Sequence, residues 1–188
     1  NVEERRTRFL TPAEIGRLSD ALASHKERVS ANAIRLLLLT GARRNEVLSA
    51  KWSMFNLENG VWTKPSAHTK QRKEHRVPLS KPALELLREM KSQAVSDAVF
   101  PGRDGKPLTD IKRTWATVSK DAGLEDVRLH DLRHTYASIL ASSGLSLPII
   151  GALLGHTQPQ TTARYSHLMD DPLRAATEHV GSVVNGGR

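Results

Sequence analysis

The chain has 188 residues, enough for one ordinary domain or two small ones with a real core, and 38% of them are hydrophobic against only 4% aromatic. It contains no cysteine, which excludes disulfides and thiolate metal sites, and no stretch approaches the ~20 apolar residues of a membrane-spanning helix. Lys and Arg outnumber Asp and Glu by 28 to 20, a net charge of +8, and phosphate neutralisation makes a polyanionic partner the natural inference from that excess.

The basic residues 1–8 read as a linker from a preceding domain, and a chain that begins at Asn1 rather than Met reads as a fragment or a processed product. Thr11-Pro12-Ala13-Glu14 supplies an N-cap, a proline at the first helical position and an acid at the third, which predicts a helix through about Ala23. A second helix is expected from about Ser30 to a C-terminal glycine at Gly41, and a short third from Arg43 to Ala50. The pattern then changes to strands. "FNLE" and "VWTK" flank Asn59-Gly60, a two-residue hairpin signal, and Glu74 to Ser80 reads as a third strand. Helices resume at Lys81 to Lys91, Thr109 to Ala122, Asp131 to Ser142 and Leu147 to Leu154, the last between Ser146 and Gly155. A short helix is expected at Gln160 to Leu168 and a tail helix from about Pro172, with the chain frayed after Gly181. The fold class is therefore mainly α with a small three-stranded antiparallel β-sheet.

"RLHDLRHTYA", Arg128 to Ala137, concentrates imidazole and guanidinium on one helix. Helical spacing puts Leu132, Tyr136, Ile139, Leu140 and Ser143 on a stripe expected to be buried. His130 and Arg133 are then neighbours on another face, beside Ala137 and Ala141, at a helix start whose N–H groups favour an anion. An arginine fork there makes a phosphate seat. His130 and His134 also have metal-ligand spacing, but Asp131 stands where a zincin carries Glu and no third ligand is evident. His134 reads as a hydrogen-bonded structural residue.

Three further stretches are ambiguous singly. "LLLLTGARRNEVLSAKW" places Arg43 at a helix start, aimed like a phosphate clamp or held in a salt bridge to Glu46. "AHTKQRKEHRVPLS" is a cationic hairpin tip, of the kind that contacts a nucleic-acid backbone or simply faces water. "LLGHTQPQTTARYSHL" carries His156 just after a helix end and Tyr165 in polar sequence surroundings, compatible with a surface tyrosine.

Taken in order, "TGARRNEV", "TKQRKEHRVPL", "LHDLRHTYAS", "LLGH" and "TTARYSHL" resemble the tyrosine recombinase (phage integrase) family over about Phe9 to Asp170. The resemblance implies the catalytic-domain fold of that family, with a linker at 1–8 from an N-terminal DNA-binding domain, the catalytic domain at 9–180 and a flexible tail at 181–188. By position it assigns the catalytic roles to Arg43 (Arg44 as fallback), Lys70 (Lys73 as alternative), His130, Arg133, His156 and the nucleophile Tyr165. It further implies that the five side chains other than Tyr165 surround one phosphate, and that Lys70 lies at or near a turn of the sheet.

The implied chemistry is storage of a DNA phosphodiester as a 3′-phosphotyrosyl bond. The two arginines would neutralise the transition state with His156 adding a hydrogen bond, His130 would take the phenol proton, and Lys70 would protonate the leaving oxygen. No metal or nucleotide cofactor is implied. The implied partners are double-stranded DNA, other protomers of the same recombinase in a DNA-bound tetramer and accessory DNA-bending proteins, in the cytoplasm and away from membranes. Leu173, Ala176, Val180 and Val184 in the tail could dock on a neighbouring protomer or pack on their own domain. Competing readings are a type IB topoisomerase, a DNA-binding module without activity and a metal-dependent phosphohydrolase.

Overall fold

The computed structural model describes residues 8–65 and 74–186. Contacts divide the chain into two units, Asn1–Thr135 and Tyr136–Arg188.

In the first unit, helix α1 (Pro12–Ser24) starts as the sequence predicts. Thr11 Oγ1 accepts from the Glu14 N–H at 3.3 Å, and Glu14 Oε2 accepts from the Thr11 N–H at 2.8 Å, so each residue satisfies the other's backbone donor. The Arg8 guanidinium grips both Glu14 oxygens, at 2.5 and 3.0 Å. Helix α2 (Arg28–Thr40) begins two residues before Ser30 and ends where Gly41 takes φ +61° and returns its N–H to Leu37 O at 2.9 Å. Its buried Ala31, Ile34, Leu36 and Leu37 make it the spine of this unit's core. Helix α3 (Arg44–Leu48) follows at once, with Arg43 as its N-cap residue.

A 3₁₀ turn (Trp52–Met54) leads into the antiparallel sheet β1 (Phe55–Asn56), β2 (Val61–Lys64) and β3 (His75–Pro78), in that spatial order. The expected two-residue hairpin at Asn59-Gly60 is not what forms. Phe55 pairs with Trp62 and Asn56 with Val61, so residues 57–60 all lie in the loop. Asn56 Oδ1 accepts from the Asn59 N–H at 2.9 Å, and the Gly60 carbonyl is taken by the Leu79 N–H at 2.7 Å. These bonds close a wider turn and leave β1 only two residues long. Trp62 is fully buried and stacks on Phe55 at 5.0 Å. Alternation puts Lys64 on the same face of β2 as Trp62, and it too is buried.

Helices α4 (Lys81–Ser92) and α5 (Lys112–Asp121) complete the unit before α6. Helix α5 starts three residues later than expected because the Asp110 carboxylate accepts from the Ile111 and Lys112 N–H groups at 2.8 and 3.0 Å, an aspartate cap ahead of the first turn.

Helix α6 (Asp131–Ser142) has the expected bounds and part of the expected inner face. Leu132 is buried and Tyr136 and Leu140 pack against the core, but the stripe does not extend to Ile139 and Ser143. Ile139 is 49% exposed and Ser143 lies at the surface, while Arg133, His134, Thr135, Ala137, Ser138 and Ala141 are buried. The small Ala137, Ser138 and Ala141 are among the buried residues, where short side chains allow close approach. Leu132 joins the core of the first unit, and Ala137 and Ala141 join that of the second.

The second unit has its own small core of Ala137, Ala141, Ile150, Leu154 and Tyr165. Helix α7 (Leu147–Leu154) ends at Gly155, φ +71°. The expected helix at Gln160–Leu168 is broken in two: α8 (Pro159–Ala163), then Tyr165, then a 3₁₀ turn (Ser166–Leu168). Helices α7 and α8 touch where Gly151 faces Thr162; a Cβ on Gly151 would lie 2.9 Å from Thr162 Oγ1. Helix α9 (Asp170–Gly186) begins two residues before Pro172 and continues past Gly181, where the sequence suggests fraying. Among the described residues no helix is long and apolar enough to cross a membrane.

Candidate active site

The first unit brings Arg43 and Arg133 to one turn. The left-handed Gly41 reverses the chain at the end of α2, and Arg43 stands two residues on, its side chain 47% exposed. Arg133, buried in α6, donates from its guanidinium to Gly41 O at 2.6 Å across 92 residues of chain. A charged group pays for burial only with good partners, and this one anchors the turn that carries Arg43. Arg44 lies in a different setting, 3.9 Å from Asp110, and lines a cavity together with His130 and Arg133. Arg43 and its fallback thus occupy different settings.

Glu46 grips Arg43 twice. Its Oε2 accepts from the Arg43 backbone N–H at 3.0 Å and its Oε1 from the guanidinium at 2.9 Å. The salt bridge that the sequence offered as an alternative to a phosphate clamp is therefore present, and it orients the Arg43 side chain. Lys64 donates to the same Oε2 at 3.0 Å, and its Nζ stands 4.9 Å from the centre of the Trp62 ring. Burial works to raise the Glu46 carboxyl, but the charge and hydrogen bond of Lys64, with the bonds from Arg43, outweigh it and hold the group below the usual carboxylate range. Burial lowers the Lys64 ammonium; Glu46 opposes that, and the charges of Arg133 and Arg43 add to it. Two cations, Lys64 and Arg43, thus act on a single carboxylate.

His130 is exposed at the start of α6, its ring edge-on to that of buried His134 at 5.1 Å. Asp131, which stands where a zincin would carry Glu, is buried and accepts from the Arg128 N–H at 2.8 Å. Among the described residues no group of three His, Cys, Asp or Glu could hold a metal ion. Lys70 and its alternative Lys73 lie outside the described residues.

In the second unit Thr162 ties together the other two expected residues. His156 follows Gly155, and its N–H returns to Gly151 O at 2.9 Å. His156 Nδ1 is 2.7 Å from Thr162 Oγ1, and the Tyr165 N–H donates to Thr162 O at 3.0 Å. Thr162 is 2% exposed. Tyr165 is not the surface tyrosine its polar neighbours suggest: it is 6% exposed and packs in the core of the unit.

Glu46, Lys64 and Thr162 were not read from the sequence as members of the site. Glu46 has a local signal, its i+3 spacing from Arg43. Lys64 has a weaker one, its strand parity with Trp62. Thr162 has none beyond its proximity to Tyr165.

The profile of the phage integrase family matches residues 8–171. The chain belongs to that family. Among relatives, this phage integrase family member is 27% identical to the integrase of Salmonella phage P22 over 194 aligned positions, spanning 96% of this chain and 48% of that protein. It is 32% identical to the tyrosine recombinase XerA of Saccharolobus solfataricus over 174 positions, spanning 92% of this chain and 56% of that one. It therefore spans about half the length of the curated relatives it matches. Among solved structures, the XerH site-specific recombinase bound to a palindromic difH substrate in a post-cleavage complex superposes with a TM-score of 0.76 at 25% identity, over 94% of this chain and 55% of that one. The mainly helical family fold with its small antiparallel sheet is thus the fold of this chain.

Proposed function

We propose that this phage integrase family member is the catalytic domain, residues 9–180, of a site-specific DNA recombinase that breaks and rejoins DNA through Tyr165. In this reading residues 1–8 link it to a DNA-clamping domain, and 181–188 form its tail. The observation that carries the reading is the cationic turn at Gly41–Arg43, where a buried Arg133 and an exposed Arg43 leave positive charge in excess of Glu46. Such a turn suits a phosphate bearing extra charge in its transition state. Family membership and the likeness to XerH, solved with its difH substrate, support DNA as the substrate.

Tyr165 Oη attacks the scissile phosphorus, the bond to the 5′-oxygen breaks, and that oxygen leaves as a hydroxyl. The DNA remains joined to the protein through a 3′-phosphotyrosyl ester. Attack by the 5′-hydroxyl of a partner strand reverses the step and returns the phenol, so bond energy is conserved without ATP. Arg43 and Arg133 neutralise the nonbridging oxygens, each such donor being worth about 2.7–4 kcal/mol in well-studied sites. His156 donates a further hydrogen bond, His130 takes the phenol proton, and Lys70 supplies a proton to the leaving oxygen. The reading uses no metal ion. Its partners are double-stranded DNA and further protomers in a DNA-bound tetramer, with accessory DNA-bending proteins, in the cytoplasm.

A nicked suicide duplex pool tests this. The chain is incubated with the pool in EDTA beside Tyr165→Phe, and covalent protein–DNA adducts are resolved on a denaturing gel. An EDTA-resistant adduct is expected from the native sequence and not from Y165F. Strand cleavage that needs a divalent metal and survives Y165F would overturn the proposal.

A further inference from the structure

We propose that Lys64 is a positioning residue for Arg43, acting through Glu46: its ammonium holds the carboxylate that grips the Arg43 backbone and guanidinium. The catalytic consequence rests on the recombinase reading; the coupling itself does not.

A lysine is an expensive choice for this place. Lys64 is 4% exposed and shares the inward face of β2 with Trp62, where an apolar side chain would cost nothing to bury. It also sits where the charges of Arg43 and Arg133 disfavour a third cation. What offsets these costs is one carboxylate, Glu46, at 3.0 Å. That carboxylate is already committed: its Oε2 also accepts the Arg43 N–H at 3.0 Å, and its Oε1 holds the guanidinium at 2.9 Å. Among the described hydrogen bonds, Lys64 reaches Arg43 through Glu46.

Two effects follow. First, Lys64 keeps Glu46 ionised. The groups facing Glu46 are Arg43 at the start of α3 and Lys64 on β2, with Arg133 of α6 acting on Lys64 from beyond. Without the ammonium, the carboxyl loses its strongest counterweight to burial, and Arg43 loses a fixed acceptor whenever Glu46 protonates. Second, Lys64 shares the carboxylate's charge. A Glu46 facing Arg43 alone would neutralise it; a Glu46 divided between Lys64 and Arg43 orients the guanidinium while leaving its charge for an incoming phosphate.

The test uses the full chain with Lys64→Met, which keeps a side chain of similar length beside Trp62, and Lys64→Arg, which keeps the charge. Carbon-13 NMR of the Glu46 carboxyl, with nitrogen-15 NMR of the Arg43 guanidinium, is followed against pH without DNA. In the native sequence Glu46 should remain ionised below the ordinary carboxylate range. K64M should shift its titration upward and make the Arg43 signal follow it, and K64R should restore both. On nicked duplex, K64M should slow adduct formation at least tenfold with DNA affinity unchanged, and K64R should recover most of the rate. The double variant K64M/E46Q should be no slower than E46Q alone, since both changes cut one chain of contacts.

An unaltered Glu46 titration in folded K64M, or additive losses in the double variant, would overturn the proposal. A substrate whose leaving 5′-oxygen is replaced by sulfur needs no protonation. Rescue of K64M by that substrate would make Lys64 a proton donor and equally overturn the positioning role. If the native sequence forms no adduct under any condition, the recombinase reading fails, and the NMR titration still decides the coupling of Lys64, Glu46 and Arg43.

Discussion

Thr162→Val replaces one hydroxyl with a methyl of nearly the same size and so isolates the bond that holds His156. Thr162 is 2% exposed and its Oγ1 lies 2.7 Å from His156 Nδ1, a short bond shielded from water. Losing a buried hydrogen bond costs about 1 kcal/mol of stability, which for a chain of this size lowers Tm by roughly 2–4 °C. The larger expected effect is on the reaction. A hydrogen bond made to the transition state is worth about 2.7–4 kcal/mol, and His156→Ala forfeits all of it. T162V keeps the imidazole and loses only its alignment, for which about 1–2 kcal/mol is reasonable, or roughly 5–30-fold in rate. The assay is single-turnover adduct formation on a nicked duplex for the native sequence, T162V, T162S and H156A. T162S, which retains an Oγ, should stay close to native. The reasoning is refuted if T162V reacts at the native rate while H156A is slow, or if T162S is as slow as T162V.

Gly151→Ala attacks the same contact from the other side. Its Cβ would stand 2.9 Å from Thr162 Oγ1, so α7 and α8 must separate, at an overpacking cost of about 1–3 kcal/mol measurable as a lowered denaturation midpoint. The Arg8–Glu14 pair predicts acid sensitivity at the start of α1. The hydrogen bond from Arg8 and the backbone bond from Thr11 lower the Glu14 carboxyl to about 2. A depressed carboxyl contributes stability that is full above its ordinary value of 4.5 and is lost as pH falls toward about 2. Glu14→Gln should therefore flatten the acid arm of a stability–pH curve by a small amount, since an ion pair near the surface is worth about 1 kcal/mol or less. An acid arm identical in E14Q would refute this.

Much of the molecule is legible in local chemistry. The Thr11–Glu14 cap, the left-handed glycines Gly41 and Gly155, and the bounds of α6 and α7 come from short-range signals that act before any tertiary contact. The order of the arginine, lysine, histidine and tyrosine motifs is linear information, and the match to the phage integrase family spans them all, over residues 8–171. Tertiary structure decides the rest. Asn59-Gly60 is a good hairpin signal, yet Asn56 and Leu79 claim the hydrogen bonds that a tighter turn would leave open. The inner face of α6 takes in Ala137, Ser138 and Ala141 and leaves Ile139 exposed, which a count of apolar side chains misses. Tyr165 stands among polar neighbours in sequence and in an apolar core in space. Glu46 looks like half of an ordinary surface pair until Lys64, 18 residues away and carried inward by the parity of β2, arrives at the same oxygen. Helix caps and glycine turns depend on neighbours a few residues apart, whereas burial, charge sharing and the anchoring of Gly41 by Arg133 depend on which distant segments meet.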